Sequence, residues 1–273
     1  MNPLKKIFQF YINSSIHVAL AATALTWVTA EELQLESKSN VLGLVFSSTV
    51  SAYNFIKYFG LAQTHHRNYT SQLKWIIWLS IVATAFSIWL CFSLAQSALF
   101  VMLVSGIICF LYAIPIGFRH QFLRGRNLRA VSGLKIFIIG LVWTLITVGL
   151  PLMDNLTSFG TTEFLYGLQR FVFILVLMLP FDIRDTAYDE LKLATIPQIL
   201  GLFWTKIAGA VGIGFVVWVS FSLQMQRLPV LTTNLLLLAA LLYSNPRRSF
   251  NFSAFWVEAL PMVWFVLLGL SQI

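Results

Sequence analysis

The sequence FDIRDTAYDELK, residues 181–192, decides how the rest of this chain is interpreted. It holds four of the ten acidic residues, namely Asp182, Asp185, Asp189 and Glu190, between strongly apolar stretches. On a helix, the three aspartates fall within roughly 60° of one face. Three like charges on one face repel one another, so we expect a positive partner to hold them.

Two interpretations of this cluster are open at this point. A hard cation such as Mg²⁺, itself bridging phosphate oxygens, binds carboxylate oxygens in this kind of arrangement. A solvated acidic loop at a membrane surface is the usual structural explanation of a charge run. The rest of the chain bears on the choice between them.

The composition is that of an integral membrane protein. Of the 273 residues, 58% are hydrophobic and 10% are charged, and the mean hydropathy is +0.81, whereas soluble domains carry about 25% charged residues. The net charge of +8 is explained by basic cytoplasmic loops, and no nucleic-acid-binding module is recognisable. Cys91 and Cys109 lie in apolar stretches, so we expect packing roles and no disulfide or zinc site.

The apolar stretches predict an all-α bundle of nine transmembrane helices, because lipid cannot satisfy an open backbone. The predicted spans are 11–30, 41–62, 75–95, 98–118, 133–152, 164–181, 198–221, 228–243 and 254–271. We expect one domain over 1–273, and a first span that is retained, since no small-residue cleavage site follows it.

The charges between the spans predict the orientation. Segments assigned to the inside hold twelve basic residues, which are Lys5, Lys6, Arg67, Lys74, Arg119, Arg124, Arg126, Arg129, Arg184, Lys192, Arg247 and Arg248. Segments assigned to the outside hold two, Lys38 and Arg227. The positive-inside rule therefore predicts a multi-pass protein of the inner or plasma membrane, with its N-terminus cytoplasmic and its C-terminus outside. The aspartate cluster then lies at the cytoplasmic end of span six.

Several polar residues lie inside or beside the other spans. Asn54 and Lys57 are one turn apart in span two, where polar groups usually face a cavity or a partner helix, although Lys57 can also snorkel to the interface. Basic residues that could offset a diphosphate follow span four: Arg119, Arg124, Arg126, Arg129 and Lys135. Three more charges, Arg170, Lys206 and Glu258, are expected to pair with one another or to line a cavity.

Two other features favour packing over chemistry. His17, in span one, is interpreted as a hydrogen-bonded packing residue. Gly209, Gly212 and Gly214 resemble a nucleotide-binding loop in spacing, but no strand precedes them. We expect close packing of helices at these small residues.

Taken together, these features resemble the UbiA superfamily of intramembrane prenyltransferases. The resemblance rests on nine predicted spans, a predicted inside N-terminus and the pattern D-x-x-D-x-x-x-D at Asp182, Asp185 and Asp189. Residues Tyr112 to Pro115 are similar to the family's Tyr-x-x-Pro region, and Leu134-Lys135 at the start of span five also fits. The resemblance covers essentially the whole chain.

The resemblance implies a cavity open to the cytoplasmic face in which a polyprenyl diphosphate binds with Mg²⁺. An allylic cation would form, and the prenyl group would pass to a lipophilic acceptor or cyclise. Asp182, Asp185 and Asp189 would be the catalytic and Mg²⁺-binding residues. Asn54, Lys57, Arg129 and Lys135 would bind the diphosphate. Membrane lipids are expected partners, protein partners are not identified, and nucleic acid is not expected.

The first aspartate motif of the family, N-x-x-x-D-x-x-x-D, is incomplete here. Asn54 is present, but Tyr58 and Ala62 occupy the two aspartate positions. The alternative is therefore a non-catalytic member that binds a lipid, an isoprenoid or a membrane protein. A small transporter is a third possibility, although clear inverted repeats are lacking.

Basic residues near span two could replace the metal that the missing aspartates would bind: Lys57, His65, His66 and Arg67. Replacing Lys57 and Arg67 together by Ala should then abolish Mg²⁺-dependent binding of a prenyl diphosphate. Ligand-induced thermal stabilisation of the detergent-purified protein measures this. Binding equal to that of the unmodified chain would contradict the substitution of metal by side chains.

Overall fold

A computed structural model describes residues 3–36, 38–62, 71–114, 133–155, 159–186 and 195–272. Regular structure in these residues is helical throughout. The α-helices are α1 Pro3–Asn13, α2 Ile16–Glu32, α3 Ser39–Ala62, α4 Ser71–Cys91, α5 Gln96–Ala113, α6 Leu134–Thr144, α7 Leu150–Asn155, α8 Thr161–Asp185, α9 Ile196–Ser222, α10 Arg227–Tyr243 and α11 Leu260–Leu270.

Two π-helical turns complete these elements. Leu145–Gly149 joins α6 to α7, so that residues 134–155 form one continuous rod. Phe252–Val257 leads into α11 after a two-residue turn. Each π turn holds an extra residue relative to an α-helical turn, and such insertions are frequent beside functional sites.

Six helices within the described residues are long and apolar enough to cross a membrane. They are Ser71–Cys91, Gln96–Ala113, Leu134–Asn155, Thr161–Asp185, Ile196–Ser222 and Phe252–Leu270, and Arg227–Tyr243 is a shorter apolar helix. The multi-pass membrane architecture follows from these helices. Neither α2 nor α3 is among the six, so the count of nine spans and the orientation of the termini stay predictions.

The predicted start of span one, at residue 11, is wrong. The chain breaks between α1 and α2 at Ser14 and Ser15, and Ser15 has a left-handed backbone with φ +63°. A non-glycine residue in this conformation is strained by roughly 1–2 kcal/mol. The polar partners that hold the break lie on α3, which the hydropathy pattern does not reveal.

The helix that contains predicted span six extends beyond residue 181, the predicted end of that span. Helix α8 passes through Pro180 and continues to Asp185. Asp182 and Asp185 are therefore one helical turn apart, as the spacing argument assumed. Asp189 lies outside the described residues.

The centre of the bundle contains a buried arginine. Arg170 of α8 is fully buried and donates to the Tyr166 hydroxyl at 3.0 Å and to the Leu25 carbonyl at 3.3 Å. Its guanidinium carbon lies 5.4 Å from the ring centroid of Trp264. These contacts join α8 to α2 and to α11, because a charge in an apolar interior needs donors and acceptors around it.

A second set of polar contacts joins three segments at the end of the bundle opposite the aspartates of α8. Lys38 forms an ion pair with Asp154 at 2.9 Å, and the other carboxylate oxygen of Asp154 accepts from the backbone N–H of Ala95 at 2.9 Å. The segments before α3, before α5 and at the end of α7 are thereby fixed together.

Helices α8, α9 and α10 approach closely at two of the three glycines of the sequence motif. A Cβ at Gly209 would collide with Leu241 and lie 2.9 Å from Leu179, and one at Gly212 would lie 2.8 Å from Val176. Among the described residues, a Cβ at Gly214 would meet no atom within 4 Å apart from its chain neighbours and the backbone of its own helix. Close packing of small residues is thus confirmed for Gly209 and Gly212.

Replacing Gly209 by Ala should lower the free energy of unfolding by roughly 1–3 kcal/mol, because the added methyl group overpacks the α9–α10 contact. Gly214→Ala on the same helix is the matched control, and it should be neutral or slightly stabilising. Thermal unfolding in detergent compares the two variants. Equal stability of both would contradict the close approach at Gly209.

Candidate site at the ends of helices α3, α6 and α8

The first turn of α6 and the last turn of α8 are joined by an ion pair. The Lys135 ammonium lies 3.0 Å from Oδ1 of Asp182, and Asp182 is only 2% exposed. A buried carboxylate needs such a partner, because desolvation strongly disfavours an isolated charge. The sequence pattern assigned both residues to one site, and the structure brings them together.

Asp185, one turn further along α8, is paired with its neighbour. The Arg184 guanidinium contacts Oδ1 of Asp185 through two nitrogens, at 2.6 and 2.7 Å. The same guanidinium lies over the rings of Phe181 and Phe250, at 5.6 and 5.0 Å from their centroids. Arg184 thus places a fixed positive charge at the end of α8, beside the π turn that precedes α11.

Asn54 links α3 to the break between α1 and α2. Its amide donates to the Ser14 carbonyl and to the Ser80 hydroxyl, both at 3.0 Å, and its oxygen accepts from the Ser15 hydroxyl at 2.8 Å. The side chain is 3% exposed. These bonds hold the left-handed Ser15, so Asn54 has a structural function whatever it does towards a ligand.

Lys57 and Tyr58 follow Asn54 on α3 and point to different groups. The Lys57 ammonium donates to the Ser15 hydroxyl at 2.9 Å. The Tyr58 hydroxyl donates to the Asn13 carbonyl at 3.0 Å, at the end of α1. The position at which the resemblance expects an aspartate therefore bonds to α1 instead, and the side chain of Ala62 is not described.

His17 is confirmed as a hydrogen-bonded packing residue. Its Nε2 donates to the Phe255 carbonyl at 3.0 Å, which leaves Nδ1 of the neutral ring to accept from the Tyr11 hydroxyl at 2.8 Å. The imidazole also stacks on Phe255, with ring centroids 5.0 Å apart. This contact fixes the π turn of residues 252–257 against α1 and α2.

Glu258 directly follows that π turn. It is half-buried and lies within electrostatic reach of Lys57 on α3 and Arg184 on α8. The first of the two alternatives, that Arg170, Lys206 and Glu258 pair with one another, is wrong. Arg170 bonds to Tyr166 and Leu25, and Lys206 donates to the Leu242 carbonyl at 2.7 Å, because each has acceptors nearer on its own or an adjacent helix.

A cavity of about 860 Å³ lies among α3, α4, α5 and the rod of α6 and α7, and its lining is mostly apolar. Two lining residues, Ile88 and Leu103, are 58% and 61% exposed, so the cavity opens on the flank of the bundle. Tyr53 lines it near the charged end, and its hydroxyl accepts from the Trp143 indole at 2.7 Å. An opening towards the cytoplasmic face stays a prediction.

The carboxylates of Asp182 and Asp185 are the kind of oxygen ligand that binds magnesium. Asp182 and Asp185 are one turn apart, and Mg²⁺ is commonly held by one or two carboxylates together with substrate phosphates. Within the described residues no group of three His, Cys, Asp or Glu side chains could hold a metal. Asp189 and Arg129, which the sequence assigned to the site, lie outside those residues, as do Pro115, His65, His66 and Arg67.

Three residues that lie at or near this site in the structure were not assigned to it from the sequence: Arg184, Glu258 and Tyr53. Arg184 lies between two predicted aspartates, so its sequence position was a usable signal. Glu258 is the last acidic residue of the chain and is surrounded by apolar sequence, which marks an intramembrane charge. No sequence signal separates Tyr53 from the other tyrosines.

Solved structures with the same fold are UbiA homologues. One from Aeropyrum pernix, without ligand, matches with a TM-score of 0.66 and 14% identity over 94% of this chain and 99% of that one. One from Archaeoglobus fulgidus, bound to GPP and Mg²⁺, matches with a TM-score of 0.60 and 13% identity over 97% of this chain and 100% of that one. A UbiA homologue from Archaeoglobus fulgidus bound to DMAPP and Mg²⁺ matches with a TM-score of 0.58 and 13% identity over 94% of this chain and 96% of that one. At this identity the likeness establishes the fold.

Neither a scan against protein-family models nor a search of curated proteins finds a match. The likeness to known proteins is therefore one of helix arrangement, at 13–14% sequence identity to these solved structures.

Replacing Asn54 by Ala should lower the free energy of unfolding by about 1–3 kcal/mol, because the buried Ser14 carbonyl loses its donor. Asn155→Ala is a matched control, since that amide donates a single bond to the Pro151 carbonyl within one helix. Thermal unfolding in detergent measures both. Equal losses in the two variants would argue against the special role of the Asn54 network.

Proposed function

We propose that this protein, which has the fold of the UbiA homologues, is a divergent intramembrane prenyltransferase of that superfamily. It would bind an isoprenoid diphosphate with Mg²⁺ and transfer the prenyl group to a lipophilic acceptor, or cyclise it. One observation carries the proposal. Asp182 and Asp185 end α8 beside two cations, Lys135 and Arg184, at the charged end of a bundle that also contains a large apolar cavity.

The charged end suits a diphosphate. Lys135 is bonded to Asp182, Arg184 to Asp185, and Lys57 to Ser15. Arginine and lysine bind phosphate oxygens through charge-assisted hydrogen bonds. A diphosphate carries several negative charges, and these cations would offset them together with Mg²⁺, because Lys135 and Arg184 are already paired with carboxylates. Arg129 stays a proposed fourth contributor.

Magnesium would be held by Asp182 and Asp185, with Asp189 as a proposed third ligand. When bound, it supplies further positive charge to the diphosphate as negative charge develops there. Lys135 and Arg184 already contact these carboxylates and would share the diphosphate oxygens. Asn54 keeps Lys57 and Ser15 in place through its bonds to the chain break.

The apolar cavity suits a prenyl chain. Its volume of about 860 Å³ lies within the usual range for a ligand site, and each buried CH₂ group contributes about 0.8 kcal/mol. Tyr53 and Trp143 stand near its charged end. Aromatic faces attract cations, so these rings would stabilise the allylic carbocation when the diphosphate departs.

A non-catalytic binder is the second candidate, and Tyr58 favours it. This tyrosine replaces an aspartate of the family's first motif and bonds to α1. A site with one aspartate motif could hold an isoprenoid diphosphate without cleaving it. Release of inorganic pyrophosphate from geranyl diphosphate separates the two candidates, because the binder retains the diphosphate intact.

Geranyl diphosphate with Mg²⁺ should raise the apparent melting temperature, since a ligand at 100 times its dissociation constant stabilises the native state by about 2.7 kcal/mol. Longer prenyl diphosphates test the chain length that the cavity accepts. Asp182→Asn and Asp185→Asn should remove the Mg²⁺-dependent part of the shift, each relative to its own ligand-free melting temperature.

The matched control is Glu163→Gln, which makes the same change in charge at the opposite end of α8, where Glu163 accepts from the Gly160 N–H. This variant should keep the full shift. A well-folded wild type that no prenyl diphosphate stabilises, with or without Mg²⁺, would refute the proposed function.

A further inference from the structure

Glu258 is an acidic residue of the bundle that the proposed diphosphate site does not use. It is half-buried, in the apolar segment that contains α11. In the described part of the chain its carboxylate has no hydrogen bond and no ion pair within 4.0 Å. Acidic residues inside membrane spans are costly, and they usually serve a function when they are present.

The π turn of residues 252–257 positions Glu258. The turn is anchored by the bond from His17 to the Phe255 carbonyl, and the Glu258 N–H donates to the Ser253 carbonyl at 3.2 Å. A π turn rotates the residues that follow it relative to a regular α-helix. The insertion therefore sets the direction in which Glu258 faces the neighbouring helices.

The groups that face Glu258 come from three other helices. Lys57 and Tyr53 belong to α3, Arg184 belongs to α8 and Tyr11 belongs to α1, and all four lie within electrostatic reach. Tyr53 also lines the apolar cavity. Glu258 thus lies near two of the three proposed phosphate-binding cations, Lys57 and Arg184, and near Tyr53, which lines the proposed prenyl cavity.

Glu258 does not belong to the proposed metal site. Asp182 and Asp185 are one turn apart, and a third carboxylate close to both would complete a group able to hold a metal. No such group occurs in the described ranges. Lys57 and Arg184, in contrast, both interact with Glu258. A diphosphate bound by these cations, and by the Mg²⁺ that the aspartates would hold, would leave the carboxylate of Glu258 free to face the acceptor.

We propose that Glu258 is a catalytic residue that binds a protic acceptor, a hydroxyl or a phenol, and takes its proton. This inference rests on the proposed prenyl transfer. The bond between the prenyl C1 and the diphosphate oxygen breaks, and its electron pair leaves with the diphosphate. The acceptor atom forms a bond to C1, and its proton passes to the Glu258 carboxylate.

Covalent labelling locates Glu258 without any substitution. Dicyclohexylcarbodiimide reacts with carboxyl groups in apolar surroundings, and peptide mass spectrometry identifies the labelled residue. Glu258 should be labelled, and geranyl diphosphate with Mg²⁺ should reduce its labelling at least about fivefold. Glu32 is the internal control, because it accepts from the Gln226 N–H far from the site. Its labelling should not change.

Two variants test the chemical role with water as the acceptor. Glu258→Gln should form prenyl alcohol from geranyl diphosphate at least 100-fold more slowly, the usual contribution of a general base, and Glu258→Asp should restore part of the rate. Both variants should bind geranyl diphosphate with Mg²⁺ within about threefold of wild type, which also shows that they fold.

Different results overturn different parts of the account. If geranyl diphosphate stabilises the wild type but leaves labelling of Glu258 unchanged, or if Glu258→Gln forms alcohol at the wild-type rate, the role of Glu258 is wrong and the diphosphate site stands. A loss of Mg²⁺-dependent affinity of tenfold or more in Glu258→Gln would assign Glu258 to the metal site instead. Absence of diphosphate binding in the wild type removes both proposals.

Discussion

A charge within an apolar bundle has to be compensated by a neighbouring group, and this constraint organises the described structure. Asp182 ends α8 almost completely buried, and Lys135, at the start of α6, supplies its counter-charge. The pair fixes the start of one membrane helix against the end of another. Arg184 and Lys57 then add positive charge around the same end, near Asp185 and Glu258.

The break at Ser14 and Ser15 connects this charged end to the N-terminal helix. Asn54 satisfies both serines, and Lys57 donates to Ser15. A change in this network would therefore alter stability and the position of Lys57 together. Tyr58 adds a further bond to α1. At the first of the two positions where the resemblance expects an aspartate, Tyr58 therefore makes a contact that holds α1 in place.

Hydropathy was enough to predict a helical membrane protein, and the spacing of the aspartates pointed to Asp182. Lys135 was assigned to the same site by the family resemblance. These patterns missed the features that depend on contacts between distant segments. Ser15 breaks the first predicted span because Asn54, 39 residues later, binds it. Glu258 acquires its surroundings from a π turn and from residues of α1, α3 and α8, none of which has a one-dimensional signature. The roles of Asp189 and Arg129 stay predictions.

The most direct test of the central claim is a crystallographic anomalous map of the protein with geranyl diphosphate and Mn²⁺ in place of Mg²⁺. The account predicts a manganese peak roughly 2.1 Å from a carboxylate oxygen of Asp182 or Asp185, with the diphosphate beside Lys57 and Arg184 and the geranyl chain in the cavity. Geranyl diphosphate bound away from these aspartates, or a metal peak elsewhere in the bundle, would contradict the account.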